Sequence, residues 1–227
     1  MAERLMKTVF DWEHFAIYLS GPMDYADDGG RGWRENWTEK LTELGINPKQ
    51  IYNPCDKPFN GTQFDLNDEA KLARECRKEK NWDGLDEIMS QVVHVDLRLV
   101  DKSDIILVNF PRMPRDIMVE ANLEHYEYNS GVMVLLDSYR ELYNKYRSLR
   151  VPTYGTMHEI VVARQQRKPV FVVWEDTGKS DCSSWLMRLV GSKNVFSNVN
   201  QLMKNLSDIS KGHHSFNANE WLLLDPK

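Results

Sequence analysis

The stretch "DIILVNFP", residues 104 to 111, decides how this chain folds. Five of its eight residues are large and apolar, and a proline stops it. A short run that is apolar on both alternating positions is a strand buried on both faces, not an edge strand with one wet face. Two further runs share the pattern: "FAIYLSG" at 15 to 21, ended by Gly-Pro, and "KPVFVVW" at 168 to 174. Between them lie segments of helical spacing. "GRGWRENWTEKLTELG" (30 to 45) places Trp33, Trp37, Leu41 and Leu44 on one face and closes on a glycine. "GLDEIMSQVVHVDLRLVDKSD" (84 to 104) repeats apolar residues at helical intervals, and residues 68 to 80 form a charged, exposed helix. "IYNP" opens a second strand, residues 55 to 67 are loop, "SSWLMRLVG" and "NVNQLMKNLSDIS" are the last two helices, and "NVF" is an edge strand between them. Continuously apolar strands alternating with helices predict a parallel sheet covered on both faces. Such sheets bind ligands beyond the carboxyl ends of their strands.

Composition narrows the function. The chain has 227 residues, 41% hydrophobic and 28% charged, which predicts a globular protein with one sizeable core. A formal charge of -5 gives no general attraction to a nucleic-acid backbone. The three cysteines, Cys55, Cys76 and Cys182, are odd in number and lack metal-ligand spacing, which predicts a reducing compartment, no disulfide framework and no metal. The start "MAERLMKTVFDWEH" has no apolar core of a signal peptide, and no run reaches membrane-spanning length. The expectation is a cytoplasmic protein with no membrane partner. No linker divides it, so residues 1–227 are read as one domain, with a helical insertion or lid at 111–150 and a tail at 212–227.

One residue asks for a chemical explanation. Glu159 follows a Gly-Thr turn and opens into an apolar helix, so it is expected in the first helical turn, where the macrodipole and free N–H groups favour a carboxylate. A positioned carboxylate can attack an electrophilic carbon, including a sugar C1. The ordinary alternative is that a glutamate simply favours a helix start. No GxGxxG or P-loop is present, and His213-His214 and His158 show no metal spacing. "GPMDYADDGGRG" reads as a flexible loop, with Tyr25, Trp33 and Trp37 able to stack on a base, although Trp37 at helical spacing fits the core.

Four segments in order, "IYLSGPM" (17 to 23), "DLRLVDKSDIILVNF" (96 to 110), "YGTMHEIVVARQQRKPVFVVW" (154 to 174) and "SSWLMRLVGSKNVFSNVNQLMKNL" (183 to 206), resemble the nucleoside 2-deoxyribosyltransferase family and its nucleoside 5′-monophosphate N-glycosidase relatives. The resemblance covers most of the chain outside 55 to 83 and 111 to 150. It implies a flavodoxin-like or Rossmann-like α/β fold, no cofactor, and a homo-oligomer whose subunits complete one another's sites. It implies that Glu159 is the nucleophile on C1′, that Asp96 positions or protonates the departing base, and that Tyr18 orients the nucleophile. Ser20, Gly21, Pro22, Met23, Asn109, Thr153, Gly155 and Thr156 are then expected around the substrate, with Ser184 matching a serine lent by a neighbouring subunit. Asp104 is expected to cap or orient its strand.

The departures are informative. Deoxyribosyltransferases carry Asp where this chain has Thr153, and the monophosphate hydrolases carry a phosphate-holding Ser. A hydroxyl accommodates an anion better than a carboxylate does. Arg31 and Arg34 could add positive charge, although a solvated helix face is their simpler reading. Three functions stay open: transfer of a 2-deoxyribosyl group between nucleobases, hydrolysis of a nucleoside 5′-monophosphate to free base, and non-catalytic nucleotide binding. Two acidic groups suit the third poorly.

Overall fold

The computed structural model describes residues 12, 14–23, 28–57, 68–111, 126–129, 132–135 and 153–213. In chain order the elements are β1 (Ile17–Ser20), α1 (Arg31–Glu43), β2 (Ile51–Tyr52), α2 (Glu69–Glu79), α3 (Trp82–Lys102), β3 (Ile105–Phe110), β4 (Tyr126–Asn129), β5 (Val132–Leu135), α4 (Tyr154–Gln165), β6 (Val170–Trp174), α5 (Ser184–Val190), β7 (Val195–Phe196) and α6 (Val199–Ser210). Five strands form an all-parallel sheet in the order β2-β1-β3-β6-β7. Counted within the sheet this is 2-1-3-4-5, the flavodoxin-like winding, whose direction reverses between β1 and β3.

β3 lies at the centre because its residues are apolar toward both faces. Ile106, Val108 and Phe110 join Tyr18, Val172, Ile160 and the buried stripe of α3 (Ile88, Val92, Val95, Leu99). Ile105 and Leu107 join Ile17, Leu19, Phe171, Trp37 and Leu41 of α1 and Leu202 and Leu206 of α6. Each fully buried aliphatic side chain of this kind contributes about 1.5–3 kcal/mol through its transfer from water, so β3 ties the two helical layers together. Asp104 sits just before β3 and accepts a hydrogen bond from Ala16 N–H (2.8 Å), which orients β1 beside it as expected. α3 is capped by Asn81, whose side chain accepts from Gly84 N–H (2.9 Å).

Where helices were expected between 111 and 150, the described residues are the antiparallel pair β4 and β5, with Tyr126 opposite Leu135 and Asn129 opposite Val132. The Asn-Ser-Gly sequence and the β-branched Val132 and Val134 supply a turn signal and strand propensity. The rest of that segment, Tyr25, His214 and the tail beyond 213 lie outside the described residues. Among the described residues no helix is long and apolar enough to cross a membrane.

Candidate active site

β1 supplies the first two groups. Alternation along the strand turns Ile17 and Leu19 toward α1 and α6, and Tyr18 and Ser20 toward α3 and α4. α4 supplies the third. Its buried residues Thr156, Glu159, Ile160 and Ala163 follow helical spacing, so Glu159 takes a core-facing position beside Ile160. There Tyr18 Oη donates to Glu159 Oε1 (2.7 Å) and Ser20 Oγ donates to Oε2. Both carboxylate oxygens are thereby fixed in direction.

The electrostatic basis differs from the sequence expectation. α4 starts at Tyr154 with Thr153 as its N-cap, which puts Glu159 in the second turn, and no acidic residue occupies the first. The macrodipole weakens beyond the first turn. Burial instead raises the Glu159 pKa, opposed first by the hydrogen bond from Ser20, then by that from Tyr18 and by the charges of Arg34 and Lys57. Tyr18 is held well above the ordinary phenol range, by burial first and then by the negative charge of Glu159 and Asp96, so it stays a proton donor to the carboxylate.

Asp96 comes from α3. It lies one residue past buried Val95, on the flank of the core stripe, where Met89, Val92, Val93, Asp96 and Leu97 form one wall of a pocket of about 150 Å³. Glu159, Gly21, Met23, Gly155 and Thr156 also line it. Asp96 and Glu159 therefore face one space. The side chain of Asp96 is only 14% exposed and its Oδ1 stands 3.2 Å from Lys57 Nζ. Burial, reinforced by Glu159 and Glu69 and opposed by Lys57, raises its pKa from 3.8 to about 7. It is not the solvated helix residue that a charged position on a helix ordinarily implies.

The remaining expected residues divide. Met23, Gly155, Thr153 and Thr156 line the pocket. At Gly155 an added Cβ would meet nothing within 4 Å, leaving open space on the pocket side of α4. Thr153 Oγ1 lies 2.7 Å from Thr156 Oγ1 and caps the helix at Thr156 N–H, so its hydroxyl serves the helix start. Ser20 orients Glu159. Gly21 is required by packing: a Cβ there would come within 2.7 Å of Trp33 Cζ2 and 2.9 Å of Asn109 O. Pro22 is buried in the loop after β1 and is not among the residues that line the pocket. Asn109 is buried and, by alternation, belongs to the opposite face with Ile105 and Leu107. Ser184 is exposed at the start of α5, outside the pocket lining. His158 is exposed and lies on the pocket rim. Trp33 and Trp37 pack edge to face at 5.0 Å and are not among the residues that line the pocket.

Two charged residues, Lys57 and Glu69, were not legible as site components, and Arg34, read as a solvated charge that could add to the site, takes another place. Arg34 is fully buried, not on a solvated face. It donates to Gly30 O (2.9 Å), Gly21 O (2.8 Å) and Leu19 O (3.4 Å), lies 4.3 Å from the Trp33 ring, and so pins the loop after β1. Arg31 pairs with Asp56 at the surface (3.3 Å). Lys57, from a loop, and Glu69, from the helix expected to be exposed, are both buried and ion-paired. No local pattern marks a loop lysine as buried. The nearest signal for Arg34 was its position among the tryptophans of α1.

Among the described residues no group of three or more His, Cys, Asp or Glu side chains is arranged to hold a metal ion. No protein-family model matches the chain, and no curated protein matches it.

Proposed function

We propose that this pocket cleaves the N-glycosidic bond of a nucleoside or nucleotide and transfers the 2-deoxyribosyl group to another nucleobase, as a member of the nucleoside 2-deoxyribosyltransferase family. The observation that carries the reading is the pair of carboxyls facing one pocket: Glu159 aimed by two hydroxyl donors, and Asp96 with a pKa of about 7. A proton donor must be protonated, which the raised pKa of Asp96 favours; a nucleophile must be ionised, and the hydrogen bonds from Ser20 and Tyr18 with the charges of Arg34 and Lys57 favour that form of Glu159 against its burial.

In the first half-reaction a Glu159 oxygen bonds to C1′ while the C1′–N bond breaks. The electron pair leaves with the base, and Asp96 gives that nitrogen its proton. The resulting glycosyl ester holds the sugar, as in retaining glycosidases. In the second, the lone pair of an incoming base attacks C1′, the C1′–O bond to Glu159 breaks, and the Asp96 carboxylate takes the proton from the new base. Tyr18 and Ser20 hold Glu159 so that one lone pair points at the sugar, and they take up the charge that returns when it leaves. Water as the acceptor would make the same centre a monophosphate hydrolase. Thr153, the residue that favours that alternative, lines the pocket and also caps α4. The protein is read as a homo-oligomer in the cytoplasm, with Ser184 offered to a neighbouring subunit.

The test is chromatography of base released from deoxynucleosides, ribonucleosides and their 5′-monophosphates, with and without a second base. A new nucleoside that forms only with the acceptor, and vanishes in Glu159→Ala, is the expected result. Base release independent of acceptor replaces transferase by hydrolase. Turnover that survives Glu159→Ala removes the nucleophile.

A further inference from the structure

Asp96 belongs to a charge cluster of unequal geometry on the pocket wall, which Glu69 also lines. Lys57, 5% exposed, donates to Pro54 O (2.8 Å) and to Glu69 Oε2, and stands 3.2 Å from Asp96 Oδ1. One ammonium thus serves two carboxyls that are both largely buried. With both ionised, the trio carries a net negative charge that burial disfavours, so one carboxyl is driven to keep its proton. Glu69 has the closer contact with the cation. Asp96 has the longer one, and it feels the charge of Glu159 across the pocket that both line.

We infer that Lys57 is a positioning residue that sets the proton occupancy of Asp96, with Glu69 competing for its charge. The inference deepens the reading of Asp96 as proton donor and rests on it. The other groups facing Asp96 are Tyr18 from β1 and Glu159 from α4, with Arg34 of α1 and His158 of α4 on the same pocket; on α3 itself His94 and Arg98 are exposed. Of these only Lys57 is in ion-pair contact with it among the described residues. The arrangement divides labour. A cation held wholly by Asp96 would strip its proton near neutral pH, and no cation at all would leave a proton too tightly held to be released. Sharing the cation with Glu69 leaves the proton transferable in both directions, as the two half-reactions require.

The two partners must then act in opposite directions. Lys57→Met withdraws the cation and raises the midpoint at which Asp96 loses its proton. Glu69→Gln removes a competitor for the cation and a negative neighbour of Asp96, lowering that midpoint. Shifts of about one unit are expected for contacts of this kind. The experiment is carbon-13 NMR of the aspartate carboxyls in the full chain, with Asp96 assigned by Asp96→Asn, for the wild type, Lys57→Met and Glu69→Gln. Opposite displacements establish the inference. Displacement in one common direction, or none, overturns it. Should Lys57→Met not fold, Glu69→Gln decides alone, because the amide keeps the shape of the side chain and a lowered midpoint is still required. The alkaline limb of kcat/KM for base release is measured in parallel. If the NMR midpoints move oppositely while that limb stays fixed, Lys57 does set the Asp96 proton and it is the proton-donor role in catalysis that fails.

Discussion

Replacing Asp96 by asparagine removes one titrating group and keeps its shape, and the structure gives the size of the effect. The carboxyl binds its proton with a pKa of about 7 in the folded protein against 3.8 as a free side chain. Between those values the folded state holds more protons than the unfolded chain, so stability falls as pH rises through the window. Each unit is worth about 1.4 kcal/mol, so the whole gap amounts to about 4 kcal/mol. Part of it is already expressed at pH 5, and integration between pH 5 and pH 8 leaves roughly 3 kcal/mol. Asparagine does not titrate. Urea unfolding followed by circular dichroism, at pH 5 and pH 8, should therefore show the wild type losing about 3 kcal/mol relative to Asp96→Asn over that interval. Loss of Asp96 from its place beside Lys57 adds an offset common to both pH values and does not disturb the difference. Base release at neutral pH should fall by about 10²–10⁴-fold, the ordinary contribution of a proton donor. A stability difference that does not change with pH would mean that Asp96 titrates as an ordinary surface carboxyl, and its assignment as a donor at neutral pH would go with it.

Tyr18→Phe removes the donor to Glu159 Oε1 and should cost about 10–100-fold in base release, the worth of a hydrogen bond to a charged group. Since that bond lowers the Glu159 pKa, the acid limb of the pH–rate profile should move to higher pH; an unmoved limb argues that the hydroxyl does not act on the nucleophile. The two site glycines should behave differently under the same substitution. Gly21→Ala forces a Cβ against Trp33 and the Asn109 carbonyl and should destabilise by about 1–3 kcal/mol in thermal unfolding. Gly155→Ala meets open space, so stability should hold or rise while KM for the nucleoside increases; a KM equal to the wild type would place the sugar away from α4.

The sequence by itself determined what depends on local spacing. Apolar runs with helices between them specified a parallel sheet, because strands with both faces apolar must be covered twice. Alternation in β1 put Tyr18 and Ser20 on one face, and the helical interval from Thr156 to Glu159 to Ala163 put the carboxylate on the side of α4 that packs inward. The tertiary structure decided the electrostatics. Glu159 lies in the second turn, so its environment comes from strand residues far away in the chain and not from its own helix. Asp96 has a high pKa because a pocket wall, a loop lysine and a glutamate from another helix close around it. Lys57, Glu69 and Arg34 each look like a solvated charge in sequence. Burial and the distance to an opposite charge are properties of where distant segments meet, and a short-range pattern does not carry them.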